Sequence, residues 1–203
     1  MDRQILTYGG YFERFMEQLT AREQEKVKYG LLLLKSQDKK STKFVKYIRE
    51  GIFDLRTEYN GNIYRVFFIF DDGNVVVLFN GFQKKTQKTP ENEIKMAIKM
   101  RDTMQTNDHQ IRDYDLVLDA EFGKPGTPER TKAIEDVYSF YSGQILHTAR
   151  KEAGITQSEL AKRINSTKSY ISKLEKGYIN PSAGLFFSII NALGMKVEIV
   201  KTL

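Results

Sequence analysis

The stretch "GITQSELAKRINSTKSYISKLEKGYINPS", Gly154–Ser182, holds two short helices and a tight turn. Thr156 followed by Glu159 is a capping box and starts the first helix. Leu160, Ala161 and Ile164 form its apolar face. "NST", Asn165–Thr167, is a polar turn, and "KSYISKLEKG" is the second helix, with Ile171 and Leu174 pointing inward at i, i+3. Two short helices joined this way make a helix-turn-helix. Burying Ile171 and Leu174 leaves Thr167, Lys168, Ser169, Ser172 and Lys173 outward. Short hydroxyls and lysines suit base edges and phosphates in a major groove. The N-terminus of the first helix, at Gln157, offers backbone amides to a phosphate.

Upstream, a long helix is expected from about Pro128 to Glu152, ended by Gly154. "KPGTPER" is a Pro/Gly break before it. "QTNDHQIRDYD", from Gln105, is polar and lacks a period, which marks a domain boundary. Charge divides the chain in the same places. Residues 1–103 carry 19 Lys and Arg against 14 Asp and Glu, residues 104–136 carry 4 against 8, and residues 137–203 carry 9 against 4. Two basic modules therefore flank an acidic stretch, and basic modules often meet nucleic acid. Their bland alternative is a solvated surface.

The first module has its own pattern. "GYFERFMEQL", Gly10–Leu19, has apolar residues at helical spacing, and Thr20 with Glu23 caps a second helix running to about Gln37. "KFVKYI", "IFDLRTEY", "NIYRVFFIF" and "VVVLFNGF" read as strands, with a hairpin turn at "DDGN", Asp71–Asn74. Pro90 opens a further helix with acids first and bases later, as the macrodipole favours. Helix, helix, antiparallel strands, helix is an α+β order. The closing "MKVEIV", Met195–Val200, alternates like a strand.

Composition narrows the chemistry. The chain is 40% apolar and 29% charged, an ordinary globular balance. No apolar run reaches the ~18 residues of a membrane span, and "MDRQILTYGG" has no signal core. Cysteine is absent. A cytoplasmic protein without disulfides, metal or cofactor, and with no membrane partner, is the expectation. His109 and His147 are the only histidines, both beyond the first module, so a two-histidine ribonuclease site cannot lie within it. Arg, Lys and Tyr remain for any phosphate chemistry there.

The helix-turn-helix stretch, through "TQSELAKR", "YISKLEKG" and "PS", resembles the Xre/Cro-repressor family over roughly Gln144–Leu193. The resemblance implies operator binding, usually as a homodimer. "DLR" (Asp54–Arg56), "YRVFF" (Tyr64–Phe68) and "FNGFQKKTQKTP" resemble the HigB branch of the RelE-like toxins, small endoribonucleases that cut mRNA, usually on the ribosome. That likeness implies catalytic roles for Arg65, Lys84 and Lys85, with Arg56, Lys46 and Tyr47 as further candidates. Arg65 is either a phosphate clamp or an arginine snorkelling at the sheet edge. Lys84 and Lys85 either meet phosphate or lie in a solvated loop. Tyr64 and Phe82 are candidates to stack on bases, with core packing as the alternative, and Lys88 is a further RNA-binding candidate. A lysine base needs a lowered pKa, which clustered cations supply if they converge.

"DYDLVLDAEFGKPGTPER", Asp113–Arg130, resembles the N-terminal part of HigA-type antitoxins. The chain thus looks like a toxin and its antitoxin in tandem, by natural fusion or engineered joining. Its expected divisions are a toxin-like domain (1–103), an acidic arm (104–136) and a helix-turn-helix domain (137–203). Leu116, Val117, Leu118 and Phe122 call for a surface to bury against. The arm would neutralise the toxin directly, by covering its cations, or allosterically, by holding its helices, on its own chain or a neighbour's. The alternative is a transcriptional regulator whose toxin-like domain is catalytically inactive and dimerises or senses.

Overall fold

The computed structural model describes residues 3–36, 44–71, 74–85 and 88–198. They form two compact units, residues 1–134 and 135–203. The first is α+β. In chain order it holds β1 (Gln4–Tyr8), α1 (Tyr11–Glu17), α2 (Ala21–Ser36), β2 (Val45–Arg49), β3 (Ile52–Tyr59), β4 (Asn62–Asp71), β5 (Val75–Lys84), α3 (Glu91–Thr106), β6 (Ile111–Asp113) and α4 (Asp115–Phe122). The expected order survives, with β1, β6 and α4 added. The hairpin residues Asp72 and Gly73 lie outside the described residues, but Asp71 pairs with Val75 across the turn.

The sheet order is β2-β3-β4-β5-β1-β6. β2 to β5 form an antiparallel meander, but β1 runs parallel to β5, so the sheet is mixed. Between Val66 and Phe68 the β4–β5 register shifts, setting Phe67 against both Phe79 and Asn80. One face packs Phe67, Val77 and Phe79 against Ile94, Ala97 and Met100 of α3. The other faces α1 and α2. There Tyr64 donates its hydroxyl to Glu23 of α2, whose capping box with Thr20 forms as expected.

The acidic arm is ordered. β6 pairs antiparallel with β1, and Tyr114 N donates to Ile5 O at 3.0 Å. Asp115 accepts from Lys35 Nζ at 2.8 Å and from Ile5 N, and Glu121 pairs with Lys28. Leu118 is fully buried, Tyr114 meets Phe12 edge-on at 5.1 Å, and Phe122 lies 5.9 Å from Tyr29. The arm thus docks on its own chain, on α1, α2 and the β1 edge. Only part of the expected apolar set is covered: Leu116 is 70% exposed and Val117 is exposed as well. On an eight-residue helix one stripe reaches the core, and positions 118 and 122, four apart, share it.

The second unit contains the greater part of α5 (Pro128–Glu152), then α6 (Gln157–Arg163), α7 (Lys168–Glu175) and α8 (Ala183–Ala192). Leu146, Leu160, Ala161, Ile171, Leu174 and Ile189 make its core. Thr156, Thr167 and Ser182 each cap a helix by accepting a backbone N–H three residues on. Residues 195–198 are not a strand, and residues 199–203 fall outside the described residues.

A fragment ending at residue 103 should be less stable than one ending at 134. It loses the burial of Tyr114, Leu118 and Phe122, each worth ~1.5–3 kcal/mol, and leaves Lys35 without its carboxylate. Urea denaturation of the two fragments checks this; coincident midpoints would show that the arm adds nothing to the fold.

Candidate nucleic-acid interfaces

In the first unit, alternation on the strands gathers cations on one face. Arg56 pairs directly with Arg65, Lys46 stands opposite Asp54, and Phe82 stands opposite Arg65. Lys84, two residues beyond Phe82, shares that face with Arg65, Arg56 and Lys46. It is the α3 face, since Phe67 and Phe82, Arg65's neighbours there, pack into the α3 core. Partial burial, then the charges of Arg65, Arg56 and Lys46, lower the Lys84 pKa below the usual lysine range. The convergence required for a lysine base is therefore present.

Like charges directly across a sheet repel, so the cluster needs a counter-charge. Asp54 supplies it. It is 1% exposed and forms an ion pair with Arg65, its diagonal neighbour across the β3–β4 ladder. Arg56 has a separate partner in Glu58 at 3.0 Å. Asp54 lies within the quoted "DLR", but its part in the cluster rests on strand register and could not be read locally.

The other candidates divide. Lys85 and Lys88 are exposed. Phe82 is half-buried, its ring 5.4 Å from Phe67. Tyr64 is corrected: it is 1% exposed, and burial with its bond to Glu23 pushes its pKa up to about 12. A ring so enclosed offers no face to a base. Tyr47 is also corrected. It is 56% exposed but points to the opposite sheet face from Lys46, packing edge-on against Phe53, so it does not join the cations. The arm's ion pairs and ring contacts lie on the α1–α2 side of the sheet, while Ile111 of β6 packs into the α3-side core beside Tyr8 and Met104.

In the second unit, Thr167, Lys168, Ser169 and Lys173 are exposed along α7 and its N-cap, and Ser172 is half-buried. The Thr167 hydroxyl oxygen is occupied in capping, where it accepts from Tyr170 N at 3.1 Å. Gln157 is engaged too: its side-chain amide donates to Glu175 at 2.9 Å. Glu175, 7% exposed, also accepts from Arg150 Nη2 at 2.9 Å, and His147 Nδ1 lies 2.8 Å away. Burial alone would raise the Glu175 pKa, but the bonds from Arg150, Gln157 and His147 outweigh it and hold the carboxyl below its usual range. This network ties α7 to α5 and α6. Its members are spread over 29 positions, from His147 to Glu175, so no local spacing announces it.

Residues 146–200 match the family described as "Helix-turn-helix". An "Uncharacterized HTH-type transcriptional regulator" of Methanothermobacter thermautotrophicus is 46% identical over 50 residues, 25% of this chain and 72% of that protein. The chain belongs to the helix-turn-helix family. An "Immunity repressor protein" of Bacillus phage phi105 is 34% identical over 58 residues, 29% of this chain; the match spans only 40% of that repressor. Among solved structures, the clp gene regulator ClgR from C. glutamicum shares 34% identity over 29% of this chain and 76% of that one, at a TM-score of 0.29. The restriction-modification controller protein C.AhdI from Aeromonas hydrophila shares 26% over 30% and 90%, at 0.30. Residues 14–102 match the family described as "Phage derived protein Gp49-like". This helix-turn-helix chain therefore carries a Gp49-like domain, of the RelE/HigB-like kind, at its N-terminus.

Asp54→Ala should destabilise the first unit by ~3–5 kcal/mol, because it leaves Arg65 enclosed without its counter-charge beside Arg56. The readout is the free energy of unfolding by urea; a loss below ~1 kcal/mol would mean that the pair contributes no more than a surface bridge.

Proposed function

We propose that the chain is a cytoplasmic toxin–antitoxin-type regulator. Its second unit binds operator DNA, as a homodimer, and represses transcription. Its first unit binds mRNA through the α3 face of the sheet and cleaves it without metal or cofactor. The observation that carries the RNA reading is the convergence of Lys46, Arg56, Arg65 and Lys84 on one face, with the Lys84 pKa lowered by burial and then by the other three charges. The match of residues 14–102 to a Gp49-like family supports it.

In the proposed cleavage the 2′-hydroxyl attacks the adjacent phosphate and the 5′-oxygen leaves. Arg65 and Arg56 stabilise the charge that builds on the phosphorane. Neutral Lys84, populated at lower pH than an ordinary lysine, takes the 2′-proton. Lys85 and Lys88 add phosphate contacts. The 5′-oxygen takes its proton from a neighbouring lysine or from water. The arm, docked on α1 and α2, would restrain the toxin-like unit through those helices and not by shielding its cations.

One observation favours the second reading, a regulator with an inactive toxin-like unit. Asp54 neutralises part of the charge at Arg65, the residue on which cleavage would depend. Induced expression of residues 1–134, and of the less stable 1–103, separates the two. Growth arrest with mRNA cleavage, abolished by Arg65→Ala, is expected of residues 1–103, and a weaker effect of residues 1–134, which keep the restraining arm. The cleavage rate should rise with pH up to the lowered pKa of Lys84, and Lys84→Ala should remove that rise. Folded, harmless fragments would leave the regulator reading standing.

For DNA, Lys168→Ala and Lys173→Ala should each weaken operator binding and reduce the slope of log K against log salt by about 0.9. Titrations at several salt concentrations measure it, and unchanged slopes would remove α7 from the interface.

A further inference from the structure

A groove of about 490 Å³ opens between α1, the second half of β5 and the first turns of α3. Its apolar lining comes from Tyr11, Leu19, Phe82 and Met96. Arg14, whose guanidinium lies 4.4 Å from the Tyr11 ring, and Lys85 bring positive charge to its rim. Gly81 makes the close approach of α1 possible, since a Cβ there would fall 2.2 Å from a ring carbon of Phe15. The groove is therefore bounded by a helix held against a strand.

Two observations point to its occupant. The first is continuity. Phe82 lines the groove and stands directly opposite Arg65, with Lys84 two residues along the same strand face. Successive same-face positions on a strand are separated by about 7 Å, so one nucleotide could place its phosphate on the cations and its base beside Phe82. The second is Asn80, another lining residue, which is 4% exposed. Its side-chain amide donates to the backbone oxygen of Glu93 at 3.4 Å and to the Glu93 carboxylate at 2.8 Å. Its Oδ1 has no partner among the described residues. An enclosed acceptor without a donor costs about 1–3 kcal/mol. A phosphate has only acceptors to offer it, whereas the amino or imino edge of a base supplies the missing donor.

We propose that this groove is a nucleobase subsite for single-stranded RNA, with Phe82 and Tyr11 as its flat walls and Asn80 Oδ1 as a polar contact to the base edge. The proposal rests on the reading of the neighbouring cations as a phosphate site, but it makes a separate claim, that the base itself is bound. Base–aromatic stacking contributes about 1–3 kcal/mol per base, which is roughly 5- to 150-fold in affinity.

Calorimetric titration of the full chain with AMP, adenosine and ribose 5-phosphate tests it. AMP should bind at least about 5-fold more tightly than ribose 5-phosphate, and adenosine should bind on its own. Met96→Trp, which fills the groove without changing its charge, should abolish both advantages and leave ribose 5-phosphate binding unaltered. Leu19→Glu is the second variant, should the tryptophan disturb folding, and should likewise lower adenosine binding. If adenosine binds and ribose 5-phosphate does not, the phosphate reading fails while the base subsite stands. If AMP binds no better than ribose 5-phosphate and adenosine does not bind, the base subsite is overturned.

Discussion

The parallel pairing of β1 with β5 is the constraint on which the first unit turns. It places the N-terminal strand inside the sheet, with β5 on one side and β6 on the other. The strand and the preceding Arg3 then serve several partners. Ile5 uses its backbone N–H on Asp115 and its carbonyl on Tyr114, both from the arm. Arg3 reaches the last turn of α2, donating to Leu34 O at 2.7 Å, and Lys35 returns a bond to Arg3 O. Without β1 the arm would have neither a strand to pair with nor an oriented Lys35 to meet Asp115. A parallel pair joins segments far apart in sequence, so this clasp closes a long loop, whereas the meander is built from strands adjacent in the chain.

Charge explains where the arm goes. An acidic segment beside a basic domain should be attracted to it, and the arm's carboxylates do find lysines. They find Lys28 and Lys35 of α2, however, and not the sheet cations. Lys28 and Lys35 are seven residues apart, two helical turns, and so present one stripe. Asp115 and Glu121 are spaced along α4 to match it. The sheet cluster already has Asp54 as an internal counter-charge, and it faces α3, whereas Lys28 and Lys35 lie on α2. Local geometry and short-range pairing thus outweigh the bulk attraction between a +5 and a −4 segment, as expected when salt screens charges beyond about 10 Å.

What could be read from the sequence follows from range. The capping box at Thr20, the N-cap at Thr156, the span of α5 and the paired helices α6 and α7 depend on residues three to seven apart, and all are where the pattern puts them. β1 escaped notice because "QILTY" is short and gains its strand identity only from Val75–Leu78. Tyr64 could stand as a stacking candidate because sequence gives strand identity but not depth; its burial is set by α2 lying over it. Lys46, Arg56, Arg65 and Lys84 could be named one by one, yet their convergence needed the register of three strand pairs. Asp54 was legible as part of a motif and illegible as the cluster's counter-charge.

Both units place a buried carboxylate against an arginine, but they leave the arginine in different states. Arg150 spends Nε and Nη2 on Glu175 and Nη1 on the Ile155 carbonyl, so its guanidinium is bonded on every nitrogen. Such a group is a brace, and it fixes α7 relative to α5 and α6. Arg65 binds Asp54 through Nη1, while its Nε has no partner among the described residues. An arginine offers five N–H donors in a rigid fork. A fork held at one end by a buried carboxylate keeps its direction. The same pairing therefore acts as scaffold in the helix-turn-helix unit, whereas in the Gp49-like unit it anchors the guanidinium through Nη1 and leaves an enclosed Nε without a partner among the described residues.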